Sequence, residues 1–525
     1  MKHTLKLDLN EHFLKALGIM EDTDRNVFVT GRAGTGKSTL LQHFRSSTKK
    51  ALAVIAPTGV AAVNVKGQTI HSFFNFKIDV TPDTVKKIKP RGKSIYKNLD
   101  AIVVDEISMV RADILDCVDI FLRIHGKKKS LPFGGIQMVF IGDLYQLPPV
   151  VRYRERAVFS EYYRSPYFFD SKVFSNGLDM EFIELEKVYR QKDGRFLNIL
   201  NAIRNNSATD DDFTAINSRH IPDFEGNEKF YICLTTTNEL ADNINQKKLS
   251  EIKGKEYKYH GIIDGDFEAK DLPTAEDITV KVGAQVMLLN NDSYGRWFNG
   301  SIGKVVEIEK IKNEPDIIWV ELSDSSRVDV APYTWEMYEF NYERSKNRVV
   351  SEVTGRFTQY PIKFAWAVTI HKSQGLTFDR MIIDIGRGTF SHGQLYVALS
   401  RCTNLDGIIL KKPIMKKHIF MDRRIVEFVT KYQYKRAKER QPLEERISLI
   451  EQAINEKRKL DIVYLKAKDE KTRRTIIPKY MGELEYKGKK FLGLEAFCTK
   501  RMEERVFNIE RILEMRMADN DSTNL

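Results

Sequence analysis

An α/β fold is predicted, with two lobes built on parallel sheets, a β-rich insertion in the second lobe and a small β-rich tail. Three observations predict it. Residues 31–39 read Gly-Arg-Ala-Gly-Thr-Gly-Lys-Ser-Thr directly after the apolar run Val27–Val29, so a strand passes through a glycine-rich turn into a helix. Short apolar runs then alternate with helical stretches, the pattern of a doubly wound sheet that carries ligands at its strand C-terminal ends. From about Gly283 to Pro332 the pattern turns β-rich, with Gly295, Gly300 and Gly303 at turns.

In chain order, strands are expected at Val27–Val29, Ala53–Ala56, Ala101–Val104 and Met138–Ile141. Each runs into a polar turn: the glycine-rich loop, Pro57-Thr58-Gly59, Asp105-Glu106 and Gly142-Asp143. Residues 74–100 break the rhythm with Pro82, Pro90 and the basic stretch Lys86-Lys87-Ile88-Lys89, and read as an inserted subdomain. A second α/β block starts near Phe182, and its strand Tyr231–Leu234 ends in Thr235-Thr236-Thr237-Asn238. Strands at Gln285–Leu289, Lys304–Ile308 and Ile317–Leu322 suggest a small barrel inserted over about 283–360, after which α/β character returns at Phe364–Ile370 and Met381–Ile385. The charged stretch Lys431–Arg446, with Pro442, reads as a helix end and linker. The expected organisation is therefore lobe one over 1–185, lobe two over 186–430, a linker over 431–446 and a tail domain over 447–525.

The 525 residues carry 84 Lys and Arg against 72 Asp and Glu, a net charge of +12, which favours a polyanionic partner, nucleic acid before membrane surface. A hydrophobic content of 42% excludes wholesale disorder. Cys117, Cys233, Cys402 and Cys498 are far apart and form no C-x-x-C pair, as expected of buried thiols in a reducing compartment rather than a disulfide set or zinc site. The N-terminus shows no apolar leader and no run is long enough to span a bilayer, so a cytoplasmic location without membrane contact is expected.

The spacing Gly31-x-x-x-x-Gly36-Lys37-Ser38 is a P-loop. Gly31, Ala33, Gly34, Thr35, Gly36, Lys37, Ser38 and Thr39 form its phosphate cradle, in which backbone N–H groups and the helix N-terminus face one phosphate chain. Lys37 reaches the β- and γ-phosphates and Ser38 offers its hydroxyl to Mg²⁺. These residues predict a nucleoside triphosphate ligand. Asp-Glu pairs are commonly solvated turn residues; behind an apolar strand and downstream of a P-loop, Asp105 is assigned to Mg²⁺ and Glu106 to the attacking water's proton, with the pair placed beside the P-loop strand. Gln146, in Gly142-Asp143-Leu144-Tyr145-Gln146-Leu147-Pro148-Pro149, is placed to sense the γ-phosphate, although a Pro-terminated turn would look the same in isolation. Arg190 and Arg401 each follow an apolar segment in the second lobe, where an arginine closing over the nucleotide would neutralise transition-state charge.

The chain resembles the petite integration frequency (Pif-type) family of superfamily 1B DNA helicases. The resemblance is carried by Gly31–Thr39, Ala56–Phe74, Asp105–Met109, Gly134–Val150, Leu185–Gln191, Thr235–Asn245, Asn299–Val305, Thr369–Phe378 and Gly393–Thr403, and it covers about residues 5–430. It implies two RecA-like P-loop NTPase lobes that use ATP and Mg²⁺ to move 5′→3′ on single-stranded DNA and to unwind duplex, forked or structured DNA, with no oligomer required. Family-level roles are DNA repair, recombination and telomere maintenance. By motif position it implies trans-lobe fingers at Arg190 and Arg401 and places Gly375 near the phosphates. DNA contacts fall on Thr58, Gly59, His71, Ser72, Thr236, Asn238, His371 and Lys372, with Phe73 stacking bases. His residues in α/β folds are more often caps or core; the phosphate-gripping turns beside His71 and His371 favour function. The segment 74–100 would act where strands part.

One departure stands out. Such helicases carry a glutamine upstream of the P-loop that reads adenine, yet Leu7–Leu17 has none and the first in the chain is Gln42, so a loosened nucleotide preference is expected. The tail resembles a WYL domain through Ile462-Val463-Tyr464, Ile477-Pro478, Phe491-Leu492 and Arg505–Ile512, which implies a small barrel sensing nucleic acid or a small ligand. Tyr464, Arg473, Arg474 and Arg505 are its candidate anion-binding face, against the alternative of a barrel core with a solvated basic rim. The rival to a motor is a nucleotide-gated DNA-binding regulator whose output is this tail. Retention of Lys37, Glu106, Gln146, Arg190 and Arg401 together favours the motor.

Overall fold

A computed structural model describes residues 10–518 apart from 78, 91–92, 152–154, 192, 225, 227–229, 268, 344–347, 387, 390, 467–470 and 487, so residues 7–9 of the segment 7–17 lie outside the described residues, as do 78 and 91–92 of the segment 74–100. The chain divides into two compact units, Met1–Arg204 with Ala208–Phe420 and Asn205–Ser207 with Met421–Leu525. No helix among the described residues is long and apolar enough to cross a membrane.

Lobe one is a parallel sheet of β1 (Val27–Gly31), β2 (Leu52–Ala56), β3 (Gln68–Thr69), β4 (Ala101–Val104), β5 (Gln137–Ile141) and β6 (Glu181–Leu185). Their order is β3-β2-β4-β5-β1-β6. Val, Ile and Phe dominate these strands because both faces are covered, and Val27, Phe28, Val29, Val139, Phe140 and Ile141 are all buried. The expectation that Asp105-Glu106 lies beside the P-loop strand is corrected. β5 separates β4 from β1, because the strand order places the Gly142-Asp143 turn next to the P-loop. All three strands are parallel, so their polar turns still share one edge of the sheet.

Side-chain caps set where the helices begin. Asn10 accepts from the Phe13 N–H at the head of Glu11–Asp22, Thr58 from Ala61 ahead of Gly59–Asn64, and Thr69 from Ser72 ahead of Ile70–Phe74. Each such cap stabilises its helix by about 1 kcal/mol. Within 74–100, the helix Lys93–Asn98 is anchored to lobe one: the Tyr96 hydroxyl donates to the Phe73 carbonyl at 2.6 Å, and its ring packs on Phe74 and Phe121.

Lobe two has a four-stranded parallel sheet in the order Ala367–Thr369, Ile232–Thr235, Met381–Asp384, Ile408–Leu410. The β-rich insertion starts earlier than expected, at Tyr257 rather than near 283. Its main sheet is antiparallel and runs Arg327–Val330, Ile317–Leu322, Ile302–Glu309, Gln285–Leu288, Ile362–Phe364 around a core of Val286, Val305, Ile318, Val320 and Tyr360. A long hairpin, Tyr333–Glu343 with Arg348–Gln359, extends from it and reaches lobe one: the Phe340 N–H donates to Gln68 Oε1 at 3.0 Å, and its ring meets Phe73 edge-on.

The second unit begins with the helix Arg423–Arg440, then Leu443–Asn455 and a five-stranded antiparallel sheet. The expected linker over 431–446 is therefore corrected. Helix continues through Arg440, and only Gln441-Pro442 interrupts it, because Val429 and Ala437 are buried on an apolar face and Ala437 packs with Leu465 and Leu513. The helix at 443 opens with Pro442 at its N-cap, where a missing N–H costs nothing. In both β-rich regions the strands form antiparallel rows, and among the described residues no ladder closes either row into the expected barrel. In the tail's candidate anion face, Arg473 and Arg474 both line one cavity with Thr475 and Lys500, and Arg505 does not. Arg473 and Arg474 are neighbours on one strand and leave it on opposite faces, Arg474 beside the core residue Ile476 and Arg473 exposed, while Arg505 pairs with Glu503.

Candidate nucleotide and DNA site

The P-loop is shaped by two left-handed residues, Gly34 at φ 78° and Gly36 at φ 87°, which a side chain would strain. At Gly34 an added Cβ would also come within 2.4 Å of the Arg190 Cβ, so the missing side chain lets the segment after β6 lie against the loop. Tyr189 N–H donates to the Gly34 carbonyl at 2.8 Å there. Lys37 Nζ donates to the carbonyls of Gly31 at 2.7 Å and Arg32 at 3.0 Å, which holds an ammonium inside the cradle. Burial lowers its pKa, with Asp143, Glu106 and Asp105 opposing the shift. Thr35 is buried, and Ser38 and Thr39 are exposed on the first turn of the helix Lys37–Ser47. From lobe two, the Tyr396 hydroxyl accepts the Ala33 N–H at 3.1 Å.

Behind the cradle, Asp105 and Glu106 leave β4. Burial raises the Asp105 carboxyl to about 6, and burial followed by repulsion from Asp105 raises Glu106 to about 7, with Lys37 and Arg401 pulling it down. Glu106 has φ 49° and ψ 42°, a left-handed conformation that costs of order 1–3 kcal/mol in a non-glycine residue and aims its carboxylate across the lobe boundary. Gln146 is buried, donates through Nε2 to Asp143 Oδ2 at 3.3 Å and accepts through Oε1 from Gln374 Nε2 at 3.2 Å. The same Gln374 nitrogen donates to Glu106 Oε2 at 3.0 Å.

Arg190 Nη1 donates to the Ser400 carbonyl at 3.2 Å, beside Gln191, which donates to the carbonyls of Ser400 and Cys402. Arg401 is only 1% exposed and donates to the Val397 carbonyl, the Leu376 carbonyl and the Ser400 hydroxyl. Burial and then the nearby Arg190 lower its pKa to about 9. Gly375 is left-handed at φ 82° and faces open space. The structure therefore brings Lys37, Asp105, Glu106, Gln146, Arg190 and Arg401 around one cradle. Residues that sequence reasoning missed complete it: Gln374, Tyr396, Asp143 and Arg204. The Arg204 guanidinium lies 3.7 Å over the Tyr145 ring and 3.6 Å from Asp143. Gln374 and Tyr396 sit inside Thr369–Phe378 and Gly393–Thr403, but nothing in those stretches says which side chain crosses between lobes.

The residues expected to hold DNA fall into two groups. Thr58, Gly59, His71 and Ser72 follow β2 and β3, neighbours at one edge of the first sheet. Thr236, Asn238, His371 and Lys372 follow Ile232–Thr235 and Ala367–Thr369, neighbours in the second. Thr58 spends its oxygen as a helix cap, which leaves its hydroxyl proton to donate. Ser72, Asn238 and Lys372 are exposed, while burial lowers the pKa of His371. Lys363 is a cation missed from sequence, lowered to about 8 by burial and then by Lys372. Phe73 is a correction. It is 5% exposed, and its ring is enclosed by Phe74, Tyr96 and Phe340, so in this conformation it joins the hairpin to lobe one and presents no face to a base.

Known proteins share this architecture. Residues 10–212 match the PIF1-like helicase family and residues 445–517 the WYL domain. The ATP-dependent DNA helicase Pif1 of Campylobacter jejuni is 31% identical over 445 residues, covering 78% of this chain and 95% of the relative. Its counterpart in Bdellovibrio bacteriovorus is 31% identical, covering 77% and 88%. A crystal structure of Bacteroides sp Pif1 in complex with ADP-AlF4 is 35% identical with a TM-score of 0.74, over 81% of this chain and 97% of that one. Another, of Bacteroides Pif1 bound to ssDNA, is 35% identical with a TM-score of 0.56. With identity at this level over nearly the whole of the Campylobacter and Bdellovibrio relatives, the chain belongs to the PIF1-like helicase family.

Proposed function

We propose that this protein is an ATP-dependent DNA helicase that moves 5′→3′ on single-stranded DNA and opens forked or structured duplexes, with its WYL domain tuning DNA affinity or ATPase rate. One observation carries the reading. A P-loop lysine, a buried carboxylate pair and a glutamine of lobe one are closed over by Gln374, Arg190 and Arg401, so hydrolysis requires both lobes. The names of the relatives and the ADP-AlF4 and ssDNA complexes of Bacteroides Pif1 support it.

In hydrolysis, water attacks the γ-phosphorus of ATP, its proton passes to Glu106, and the bond from the γ-phosphorus to the ADP oxygen breaks. Lys37 would leave the Gly31 and Arg32 carbonyls for phosphate oxygens. Arg190 and Arg401 would offset the charge that develops on the equatorial oxygens. The donor set fits Mg²⁺, with an exposed Ser38 hydroxyl at the helix start and the carboxyl of Asp105, both hard oxygen ligands. A bound Mg²⁺ would offset phosphate charge. Thr58, Ser72, Asn238 and Lys372 would hold the DNA backbone without reading sequence, as expected of a motor. A DNA substrate and four buried free cysteines support a cytoplasmic location.

The test is ATP-dependent unwinding of forks bearing either a 5′ or a 3′ single-stranded tail, by the full chain and by a chain ending at Phe420. Opening of only the 5′-tailed substrate is expected, with the shortened chain active but altered in DNA affinity or ATPase rate. Preference for the 3′ tail would reverse the polarity. Hydrolysis that is indifferent to DNA would remove the motor.

A further inference from the structure

Gln374 closes over the lobe-one groups in the helicase reading without a task of its own, yet its side chain touches both the proton acceptor and the γ-phosphate sensor. Its amide nitrogen donates to Glu106 Oε2 at 3.0 Å and to Gln146 Oε1 at 3.2 Å. The direction of this chain is dictated at its ends, because Asp143 and Glu106, ionised as a proton acceptor must be, only accept. The Gln146 NH₂ therefore turns to Asp143, its carbonyl turns to Gln374, and the two protons of the Gln374 amide serve Gln146 and Glu106 separately. Reversing either amide would set oxygen against oxygen.

The backbone behind Gln374 is fixed. Ile370 N–H donates to the Thr235 carbonyl, Ser373 N–H to Thr369, and Leu376 N–H to Ser373. The Ser373 hydroxyl donates to the Ile370 carbonyl, and Arg401 Nη1 to that of Leu376. One short turn thus carries His371 and Lys372 on the expected DNA side and, two residues later, the amide that grips the catalytic carboxylate of the opposite lobe.

We infer that Gln374 is a positioning residue, a lobe-two amide that sets the orientation of Glu106 and Gln146 only when the lobes are together, and so ties the grip of the 371–374 turn on DNA to water activation. The inference rests on the helicase reading. It assigns Gln374 no bond-making step: the proton still goes to Glu106, and Gln374 holds that carboxylate in one rotamer. Where Gln374 withdraws with its lobe, both lobe-one side chains lose the donor that aligns them.

The test compares the full chain with Gln374→Ala and Gln374→Glu in steady-state ATP hydrolysis at saturating oligothymidine. The glutamate fills the same volume but cannot donate. Both variants are expected to lose about tenfold or more in kcat, with KM for ATP and affinity for oligothymidine within about twofold of the parent. Gln374→Glu should be no better than Gln374→Ala. A glutamate variant at parental kcat would reduce the residue to packing, and an alanine variant at parental kcat would leave it without a role. A rise in KM at constant kcat would assign it to nucleotide binding; each of these overturns the inference. If the parent hydrolyses ATP, Glu106→Gln is inactive and both Gln374 variants are normal, this inference alone fails. A parent chain that hydrolyses no ATP with DNA overturns the helicase reading and this inference with it.

Discussion

The two jaws of the nucleotide site are built by different means. In lobe one the reactive groups are placed by their own backbone: Lys37 by a loop with two left-handed glycines, and Glu106 by its own left-handed conformation at the end of a buried strand. In lobe two they are held by one another. Arg401 uses three donations on its own lobe and Gln374 reaches across, while Arg190, whose backbone lies against the P-loop, leans on the lobe-two Ser400 carbonyl. On the proposed roles, chemistry is built into one lobe, and the other supplies donors, of which Gln374 reaches its partners only when the lobes meet. Loss of a lobe-one group should stop the reaction, whereas loss of a lobe-two group should slow it.

The largest effects are expected in lobe one. Lys37→Ala should lower ATP hydrolysis by about 10³-fold or more, since it removes the charge proposed to meet the transferred phosphoryl group. Glu106→Gln keeps shape and hydrogen bonding but cannot take a proton, so kcat should fall about 10²–10⁴-fold while ATP and oligothymidine still bind. Equilibrium binding beside steady-state hydrolysis separates the two variants. Full turnover in Glu106→Gln would move the proton acceptor elsewhere and erase the contrast between the jaws.

Arg401→Lys should have a smaller effect. Lysine keeps a positive charge but not the planar fork that now serves a carbonyl, a second carbonyl and a hydroxyl at once. A loss of about 10²-fold in kcat with unchanged nucleotide affinity is expected, below the effect of Lys37→Ala. Alanine would be a poorer probe, since it would leave the Val397 and Leu376 carbonyls without their donor in a buried site. Single-turnover hydrolysis measures this directly. An effect equal to that of Lys37→Ala would show that lobe two carries as much of the chemistry as lobe one.

How far the sequence could be read follows the same contrast. Lobe-one groups lie in contiguous stretches, where a strand, a turn and a helix start fix each side chain, so Gly31–Thr39 and Asp105-Glu106 can be read without coordinates. The order of the strands could not, and β5 stands between the two motifs because pairing order is a tertiary property. Lobe-two residues depend on which side chains cross a boundary between distant segments, and Gln374 and Tyr396 carry no local mark of that. Phe73 looked like a stacking residue because aromatics beside phosphate-gripping turns often are; the Phe340 hairpin that covers it lies over 260 residues downstream. The stretch 431–446 read as a linker from its charge, while Val429 and Ala437 at helical spacing carry the apolar face that makes 423–440 a helix.

The smallest expected effect concerns the base, where the jaws should not differ at all. Adenine and guanine differ at position 6, a donor in one and an acceptor in the other, so telling them apart by hydrogen bond needs a side chain with a spare donor or acceptor at that edge. The described part of the segment ahead of the P-loop, residues 10–17, contains no glutamine. Its one amide, Asn10, is already engaged at both ends: Oδ1 accepts from Phe13 N–H at 3.0 Å as a helix cap, and Nδ2 donates to the Tyr189 hydroxyl at 3.2 Å. Tyr189 in turn is tied to the P-loop through Gly34. With its amide spent on structure, this segment should discriminate weakly, and kcat/KM for ATP over GTP should stay within about tenfold, or 1.4 kcal/mol. Asn10→Ala should leave that ratio unchanged even as it loosens the helix start. A ratio well above tenfold that collapses in Asn10→Ala would mean that Asn10 exchanges its cap for the base when nucleotide arrives, and would make lobe one the jaw that selects the nucleotide as well as the one that cleaves it.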